Sequence, residues 1–212
     1  MDLLSLSQEE TQVILGGLLG DSYYNKLKKT IRFYHSQKQE EYLKWKHSFF
    51  IKNPNQICRK IYYGERHTNN NVYNYCNFEI YNKNNAMNDI YSFIQKHLYS
   101  NDNRKKISMK YLNELTPLGL AVWWMDDGSL CKKTRNGKVH SWDLYLNTYL
   151  SKEENQVIID YFQDKWNVKW NLNLSKGKYR LRCSTKEGRK FLNIVRPIVS
   201  QVECMQYKCL EI

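Results

Sequence analysis

Alanine is almost absent from this 212-residue chain, where it occurs only at positions 86 and 121, whereas Asn, Lys, Tyr and Ile are abundant. This bias is typical of genes in AT-rich genomes. It favours a mitochondrion or another organelle as the location of the protein, with a bacterial cytoplasm as the alternative.

Three further absences argue against whole classes of protein. The six cysteines form no Cys-x-x-Cys pair, so neither a zinc knuckle nor a disulfide framework is indicated, and we expect reduced thiols in an intracellular compartment. The longest apolar runs, 13–19 and 118–125, are far shorter than the roughly 18 residues that a membrane span needs. The amino terminus, MDLLSLSQEE, is acidic and lacks the basic region of a signal peptide.

Acidic residues are few relative to basic ones. The chain has 33 Lys and Arg against 21 Asp and Glu, which gives a formal net charge of +12. Such a surplus favours a polyanionic partner, nucleic acid first and an anionic membrane surface second. Hydrophobic residues make up 42% of the chain, which is enough to form a core and excludes a disordered tail.

The sequence divides into two similar halves, which we place at residues 1–103 and 104–212. Each half begins with a capped apolar helix, over 11–20 after the capping box of Ser7 and Glu10, and over 118–126 after Thr116 and Pro117. We expect strands at 28–36 and 139–148, helices at 37–51 and 151–166, hairpins at 56–65 with 72–81 and at 171–175 with 178–184, and closing helices at 86–100 and 186–199. The predicted fold is therefore α+β, with the order αββαββα in each half and pseudo-twofold symmetry between the halves.

Alternating side chains predict that each sheet has one apolar and one polar face. Leu174 and Val72 are expected on the apolar faces. The polar faces could lie on DNA and reach phosphates or base edges through Lys28, Arg32, Tyr34, Tyr73, Tyr75, Asn77, Asn173, Ser175, Lys178, Arg180 and Arg182. For a single strand, an ordinary solvated face is the simpler interpretation. Two such sheets on a basic chain make contact with DNA a competitive one.

Two aspartates occupy electrostatically unfavourable positions. Asp21 and Asp127 lie at the C-terminal ends of the apolar helices, where the helix dipole disfavours a carboxylate by about 0.3–1 kcal/mol and the last carbonyls are unsatisfied. Carboxylate and carbonyl oxygens together are ligands of Mg²⁺ and Ca²⁺. Gly16, Gly17 and Gly20 cost the first helix about 1 kcal/mol each, which predicts close packing against the second helix. A glycine-rich cap and a turn Asp would explain one such motif, but two occurrences favour a paired metal site.

The nine-residue motifs that contain these aspartates are ILGGLLGDS at 14–22 and LAVWWMDDG at 120–128. They resemble the motif of the LAGLIDADG homing endonuclease family, and the order of elements extends the resemblance over almost the whole chain. It implies that Asp21 and Asp127, at motif position eight, are metal ligands and catalytic carboxylates. It also implies a monomer in which two antiparallel sheets form a saddle over an asymmetric DNA target. The sequence departs from the family at Ser22, where Gly is usual, and in the second motif, where only Ala121 is small.

The resemblance further implies the other parts of an active site. One lysine per half is expected, namely Lys105, or its neighbour Lys106, and Lys208. The carbonyls of Gly20 and Asp126 would add metal ligands, and Gln37 and Asn147 are weaker candidates for holding water. Mg²⁺ is the expected cofactor, with Ca²⁺ or Mn²⁺ as substitutes. The expected reaction is double-strand cleavage that leaves short 3′ overhangs and propagates the coding intron.

Two alternatives stay open on the same scaffold. Some members of the family bind intron RNA as maturases, and a regulator could bind DNA without cutting it. The presence of both motif aspartates favours catalysis without excluding a second role. The expected partner is therefore double-stranded DNA, with intron RNA second and no membrane.

Overall fold

Each half of the chain builds one four-stranded antiparallel sheet and the helices that cover it. The computed structural model describes residues 6–68, 71–99 and 104–209. The first half contains α1 (Gln8–Leu19), β1 (Tyr23–Asn25), β2 (Thr30–Ser36), α2 (Glu40–Ser48), β3 (Tyr62–Thr68), β4 (Asn71–Tyr81) and α3 (Asn88–His97). The second contains α4 (Met109–Asn113), α5 (Pro117–Asp127), β5 (Gly128–Arg135), β6 (Lys138–Leu146), α6 (Lys152–Trp166), β7 (Asn171–Ser175), β8 (Lys178–Cys183) and α7 (Thr185–Val199). Short 3₁₀ helices span Gln37–Gln39, Lys83–Asn85 and Glu203–Lys208.

The two sheets have the same topology. Their strand orders are β1-β2-β4-β3 and β5-β6-β8-β7. The α+β class and the order αββαββα are confirmed in both halves, and α4 is an additional turn of helix ahead of the second repeat. The boundary placed after residue 103 adjoins residues 100–103, which lie outside the described part of the chain.

Several element boundaries differ from those expected. The helix expected at 37–51 is a 3₁₀ turn followed by α2, which ends at Ser48. The strand expected at 56–65 begins only at Tyr62, because Gln56 takes a left-handed φ of 52° and Cys58 forms a single bridge to Ile80. The helix expected to reach residue 100 ends at His97, and residue 100 itself is not described.

The apolar faces of the sheets end before the hairpin tips. Leu174 and Val72 were expected on these faces, but they are 61% and 58% exposed. Each lies near a hairpin turn, where it pairs with Tyr179 or His67 and the strands extend past the core. The alternation of apolar and polar side chains along a strand therefore predicts which face of the sheet a residue lies on. It does not predict whether the hydrophobic core extends to that residue.

The helices α1 and α5 pack side by side in the core. All residues of α1 from Glu10 to Leu19 are buried, as are those of α5 from Gly119 to Met125, which is the pattern of a helix covered on every side. Backbone meets backbone at Gly16, where an added Cβ would overlap the carbonyl oxygen of Gly119 and lie 3.0 Å from Cβ of Val122. The close packing predicted from the glycines is confirmed at Gly16 and at Gly20, which faces Asp126, but it is wrong for Gly17, which faces Ser22 and Phe33 of its own half. Gly119, one residue ahead of the second motif, is the small residue that sequence reasoning missed.

A buried glutamine joins the two helices at their N-terminal ends. The Nε2 of Gln12 donates to the carbonyl of Glu114, and its Oε1 accepts the backbone N–H of Thr116, both at 2.8 Å. Thr116 is the N-cap residue of α5, but its side chain makes no capping hydrogen bond. Gln12 instead supplies an acceptor for a backbone N–H at this helix end. The N-terminal ends therefore meet here, and the C-terminal ends meet at the site described next.

Two properties concern the fold as a whole. All six cysteines are free thiols. Across residues 6–68, 71–99 and 104–209, no helix has the length and apolar character needed to cross a membrane.

Candidate active site at the paired helix ends

The two motif aspartates lie at the adjoining C-terminal ends of α1 and α5. Asp21 follows Gly20, the C-cap of α1, and Asp127 is the last residue of α5. The backbone N–H of Asp21 donates to Oδ2 of Asp126 at 3.2 Å, so the two helix ends are in direct contact. The side chain of Asp21 is half-exposed and Asp127 is partly buried, which gives both carboxylates access to a shared surface.

Burial and neighbouring negative charges raise the pKa of both carboxyls. For Asp21, burial acts most strongly and the charge of Asp126 adds to it. For Asp127, burial acts first, and Asp126 and Asp21 follow, which together raise its pKa to about 7. Clustered carboxyls of this kind resist ionisation unless a positive charge is near. Their hard oxygen donors, beside helix-end carbonyls, fit a divalent cation such as Mg²⁺ or Ca²⁺.

Each helix end is contacted by one of the expected lysines. The Nζ of Lys105 donates to the carbonyl of Gly20 at 3.2 Å, at the end of α1. The Nζ of Lys208 donates to the carbonyls of Met125 and Asp126, at the end of α5, with 3.2 Å to the second. Of the pair Lys105 and Lys106, the structure brings Lys105 to the helix end, and Lys106 is exposed. Burial lowers the pKa of both Lys105 and Lys208, in spite of the nearby aspartates.

The side chain of Asp126 is engaged in a buried network. Its Oδ1 accepts from the hydroxyl of Tyr42 at 2.9 Å and from the Nζ of Lys46 at 2.7 Å, and both charged side chains are fully buried. The Nζ of Lys46 also lies 3.1 Å from Nε2 of His35. Burial and the charge of Lys46 lower the pKa of His35 to about 3, so this imidazole is neutral. Sequence reasoning used only the carbonyl of Asp126 and missed these partners. The sequence signal that could have found them is the spacing of Tyr42 and Lys46, which are four residues apart and so lie on one face of α2.

By distance alone, a second set of three residues could also bind a metal ion. Asp21, His35 and Asp126 could each offer one ligand atom within 4.8 Å of the others. The ammonium of Lys46 already neutralises Asp126, however, and this carboxylate has no exposed surface. The contacts therefore describe an ion pair at Asp126, and Asp127 is the better candidate for a metal ligand of the two adjacent aspartates.

The two residues considered for holding water differ in their placement. Asn147 donates both its backbone N–H and its Nδ2 to the carbonyl of Asp127, at 3.1 and 2.9 Å. Gln37 is exposed at the start of a 3₁₀ helix. The structure therefore brings Asn147 to the site as an anchor of the Asp127 backbone.

The polar face of the first sheet carries arginine and tyrosine. Arg32 is held by Glu79 at 2.6 Å, and Arg59 approaches the same carboxylate at 3.5 Å. Tyr34 and Tyr75 pack with their ring centroids 4.9 Å apart. The remaining candidates of this half are placed as follows: Tyr73 is exposed on β4, Asn77 lies opposite Tyr34, and exposed Lys28 lies between β1 and β2.

The polar face of the second sheet repeats this arrangement with other residues. Asp143 binds Arg182 at 2.8 Å and Lys133 at 2.7 Å. The guanidinium of Arg180 lies 4.0 Å from the ring centroid of Tyr145, and its Nε donates to Asn173 at 2.9 Å. Lys178 pairs with Ser175 at the hairpin end and lies over the ring of Tyr149. On each sheet, therefore, one acidic residue binds two basic side chains. Neither Glu79 nor Asp143 was predicted in this role from the sequence.

Comparison with known proteins shows which family has these features. The LAGLIDADG DNA endonuclease family matches residues 11–191. The probable intron-encoded endonuclease 1 of Wickerhamomyces canadensis is 29% identical over 217 residues, covering 98% of this chain and 85% of that protein. The RecA protein of Mycolicibacterium flavescens is 29% identical over 220 residues, covering 97% of this chain but 47% of its own length. The chain therefore spans about half of that relative.

The fold gives the same assignment. The solved structure of the homing endonuclease I-WcaI bound to its DNA recognition sequence matches with a TM-score of 0.79 and 25% identity, over 97% of this chain and 88% of that one. The chain therefore belongs to the LAGLIDADG DNA endonuclease family and is a site-specific DNA endonuclease.

Proposed function

We propose that this protein is a homing endonuclease that cuts both strands of a long asymmetric DNA target in a Mg²⁺-dependent reaction and leaves short 3′ overhangs. The observation that carries the proposal is the pair of motif aspartates at adjoining helix ends, with Lys105 beside one end and Lys208 beside the other. Because one chain holds both aspartates, it would act as a monomer. Cleavage of an allele that lacks the intron would promote copying of the coding intron into it.

The proposed metal ligands are the carboxylates of Asp21 and Asp127 and the carbonyls of Gly20 and Asp126. Mg²⁺ bound there would polarise the scissile phosphates and lower the pKa of the attacking water. Burial and the neighbouring carboxylates raise the pKa of both carboxyls, and a bound cation would stabilise their ionised forms. One carboxylate per helix end would serve one cut per strand. Ca²⁺ and Mn²⁺ are the expected substitutes.

Lys105 and Lys208 would stabilise charge on the phosphate that is being cut. Each ammonium is largely buried and lies on the carbonyls beside a motif aspartate, so its charge is screened less than that of a surface lysine. We propose Asn147 as a residue that fixes the backbone of Asp127.

The polar faces of the two sheets would bind duplex DNA on either side of the cut. Arginine and lysine there would contact phosphates and fix the register, and arginine or asparagine would read base edges. The formal charge of +12 and the solved DNA complex of I-WcaI support this partner. The candidates are Arg32, Tyr34, Tyr73, Tyr75, Asn77 and Lys28 on the first sheet, and Asn173, Ser175, Lys178, Arg180 and Arg182 on the second.

The test uses the gene that hosts the coding sequence, in its form without the insertion, as a duplex substrate. Purified protein is incubated with it in Mg²⁺ and in EDTA, and the variants Asp21→Asn and Asp127→Asn are compared with wild type. Asp164→Asn, an exposed acid on α6, is the matched control because it makes the same change of charge away from the site. We expect cleavage to require the metal, to be lost in both site variants and to persist in the control, while DNA binding stays nearly intact in all.

Two results would change the assignment. Full cleavage by both site variants would contradict the proposed metal ligands. Tight binding of the fragment without any cut would favour a DNA-binding regulator, or a maturase if the folded intron RNA is bound as well.

A further inference from the structure

We infer that Asp126, held by Lys46 and Tyr42, is a positioning residue for Asp21 alone, so that the two strand cuts depend on different supports. This inference rests on the proposed function, in which each motif aspartate serves one cut. It concerns the side chain of Asp126, which is separate from the metal ligand proposed at its carbonyl.

Gly20 and Asp126 occupy corresponding places in the two motifs and fit each other. A Cβ added at Gly20 would lie 2.6 Å from Oδ2 of Asp126 and 2.9 Å from its Cγ. The carboxylate of one half therefore fills the space that the glycine of the other half leaves. A side chain at position 20 and a carboxylate at position 126 cannot both be present without separating the helices.

The buried carboxylate is bound on both sides. Oδ1 accepts from Lys46 and Tyr42 of α2, and Oδ2 accepts the backbone N–H of Asp21. Lys46 and Tyr42 are both fully buried, so water does not compete for these contacts. Asp21 follows the C-cap of α1, and the next N–H, of Ser22, donates to the carbonyl of Gly17 in α1. Asp126 therefore supplies the acceptor for the N–H of Asp21 itself.

The same network reaches the carboxylate of Asp21. The Nζ of Lys46 donates to Nε2 of His35, which leaves the proton of the neutral ring on Nδ1. That atom lies 3.9 Å from Oδ2 of Asp21. The network therefore constrains Asp21 at its backbone and faces its side chain.

Asp127 has a different support. Gly20 has no side chain that could return the contact, so the arrangement is not repeated across the pseudo-twofold axis. Asn147 instead donates twice to the carbonyl of Asp127 from the end of β6. The two carboxylates are thus placed by separate residues, and disturbing one support should affect one cut more than the other.

The experiment measures the rate constant for nicking each strand of the end-labelled target, in single turnover with excess protein and saturating Mg²⁺. Asp126→Asn keeps the shape of the side chain. Its oxygen will face the two donors Lys46 and Tyr42, so its NH₂ will face the N–H of Asp21, which loses its acceptor. We expect one strand to be nicked about tenfold more slowly relative to the other, with accumulation of a single nicked species. Asn147→Ala should shift the ratio of the two rates in the opposite direction.

Two further variants separate positioning from general destabilisation. Tyr42→Phe keeps the ion pair and should shift the ratio less, but in the same direction as Asp126→Asn, so it serves if the latter does not fold. Val168→Ala shortens a fully buried side chain just after α6, whose C-terminal end Lys165 joins to the carbonyls of Asn113 and Leu115, at the opposite end of α5 from Asp127. It should lower the melting temperature and leave the ratio unchanged.

The outcomes distinguish the inference from the function on which it rests. Absence of metal-dependent cleavage by wild type would overturn the proposed function. Cleavage by wild type with equal slowing of both strands in Asp126→Asn and in Tyr42→Phe would overturn the inference alone. Opposite shifts in Asp126→Asn and Asn147→Ala would establish it.

Discussion

Replacing Gly16 by Ala tests whether backbone contact between α1 and α5 sets the distance between the proposed catalytic carboxylates, Asp21 and Asp127. The new Cβ would lie about 1 Å inside ordinary van der Waals distance of the Gly119 carbonyl oxygen, which is backbone and cannot rotate away. The helices must therefore separate by about 1 Å at this point. A displacement of that size at reacting groups costs on the order of 100-fold in rate.

The cost in stability can be worked out from two opposing terms. Overpacking against rigid backbone costs about 3 kcal/mol, whereas alanine is favoured over glycine inside a helix by about 1 kcal/mol. The net loss is about 2 kcal/mol, which corresponds to a decrease of about 4–8 °C in melting temperature for a protein of this size. Because the proposed DNA contacts lie on the sheets, binding should change less than cleavage.

The matched control is Gly17→Ala on the same helix. Its Cβ would meet Oγ of Ser22 at 2.6 Å and a ring atom of Phe33 at 3.1 Å, both side chains of its own half. A hydroxyl can rotate, so we expect a smaller loss of stability and cleavage within about tenfold of wild type. The assays are calorimetric melting and single-turnover cleavage. If Gly16→Ala melts and cuts like wild type, or behaves like Gly17→Ala, helix contact does not set the geometry of the site.

Three other predictions follow from single features. Gln12→Ala should lower the free energy of unfolding by about 1–2 kcal/mol in chemical denaturation, since it removes two part-buried hydrogen bonds, to the N–H of Thr116 and the carbonyl of Glu114; a loss below about 0.5 kcal/mol would show that water replaces the amide. The pKa of Asp127 is raised from 3.8 to about 7, so its ionisation destabilises the metal-free fold as pH rises from about 4 to 7, and a proton competes with metal below pH 7. Titration calorimetry should show metal affinity falling by up to about tenfold per pH unit below pH 7 and staying constant above it. Asp127→Asn should weaken this dependence and leave the part that comes from Asp21, whose pKa is also raised. Log affinity for DNA should fall linearly with log salt concentration, with a shallower slope in Arg182→Ala; an affinity that does not respond to salt would exclude a phosphate-dominated interface.

The sequence by itself determined the repeated parts of this protein. Capped apolar helices, strand alternation and hairpin turns depend on neighbouring residues, so the order αββαββα and the paired helices could be predicted from local pattern. The positions of Asp21 and Asp127 were readable for the same reason, because a carboxylate at a helix C-terminal end opposes the dipole wherever the helix lies. Lys105 and Lys208 came from the resemblance, since nothing local distinguishes them from surface lysines.

Only the tertiary structure decided which distant side chains meet. Lys46 and Asp126 are 80 residues apart in the chain and form a buried ion pair, and Gln12 caps a helix that begins more than 100 residues later. Glu79 and Asp143 hold arginines on the polar faces because strands far apart in sequence are paired. Such contacts depend on how whole helices and sheets pack. The periodicity of residues within one helix or strand carries no information about that packing. In the candidate active site, the two carboxylates could therefore be found from local sequence. The residues that hold them are brought together only by the tertiary structure.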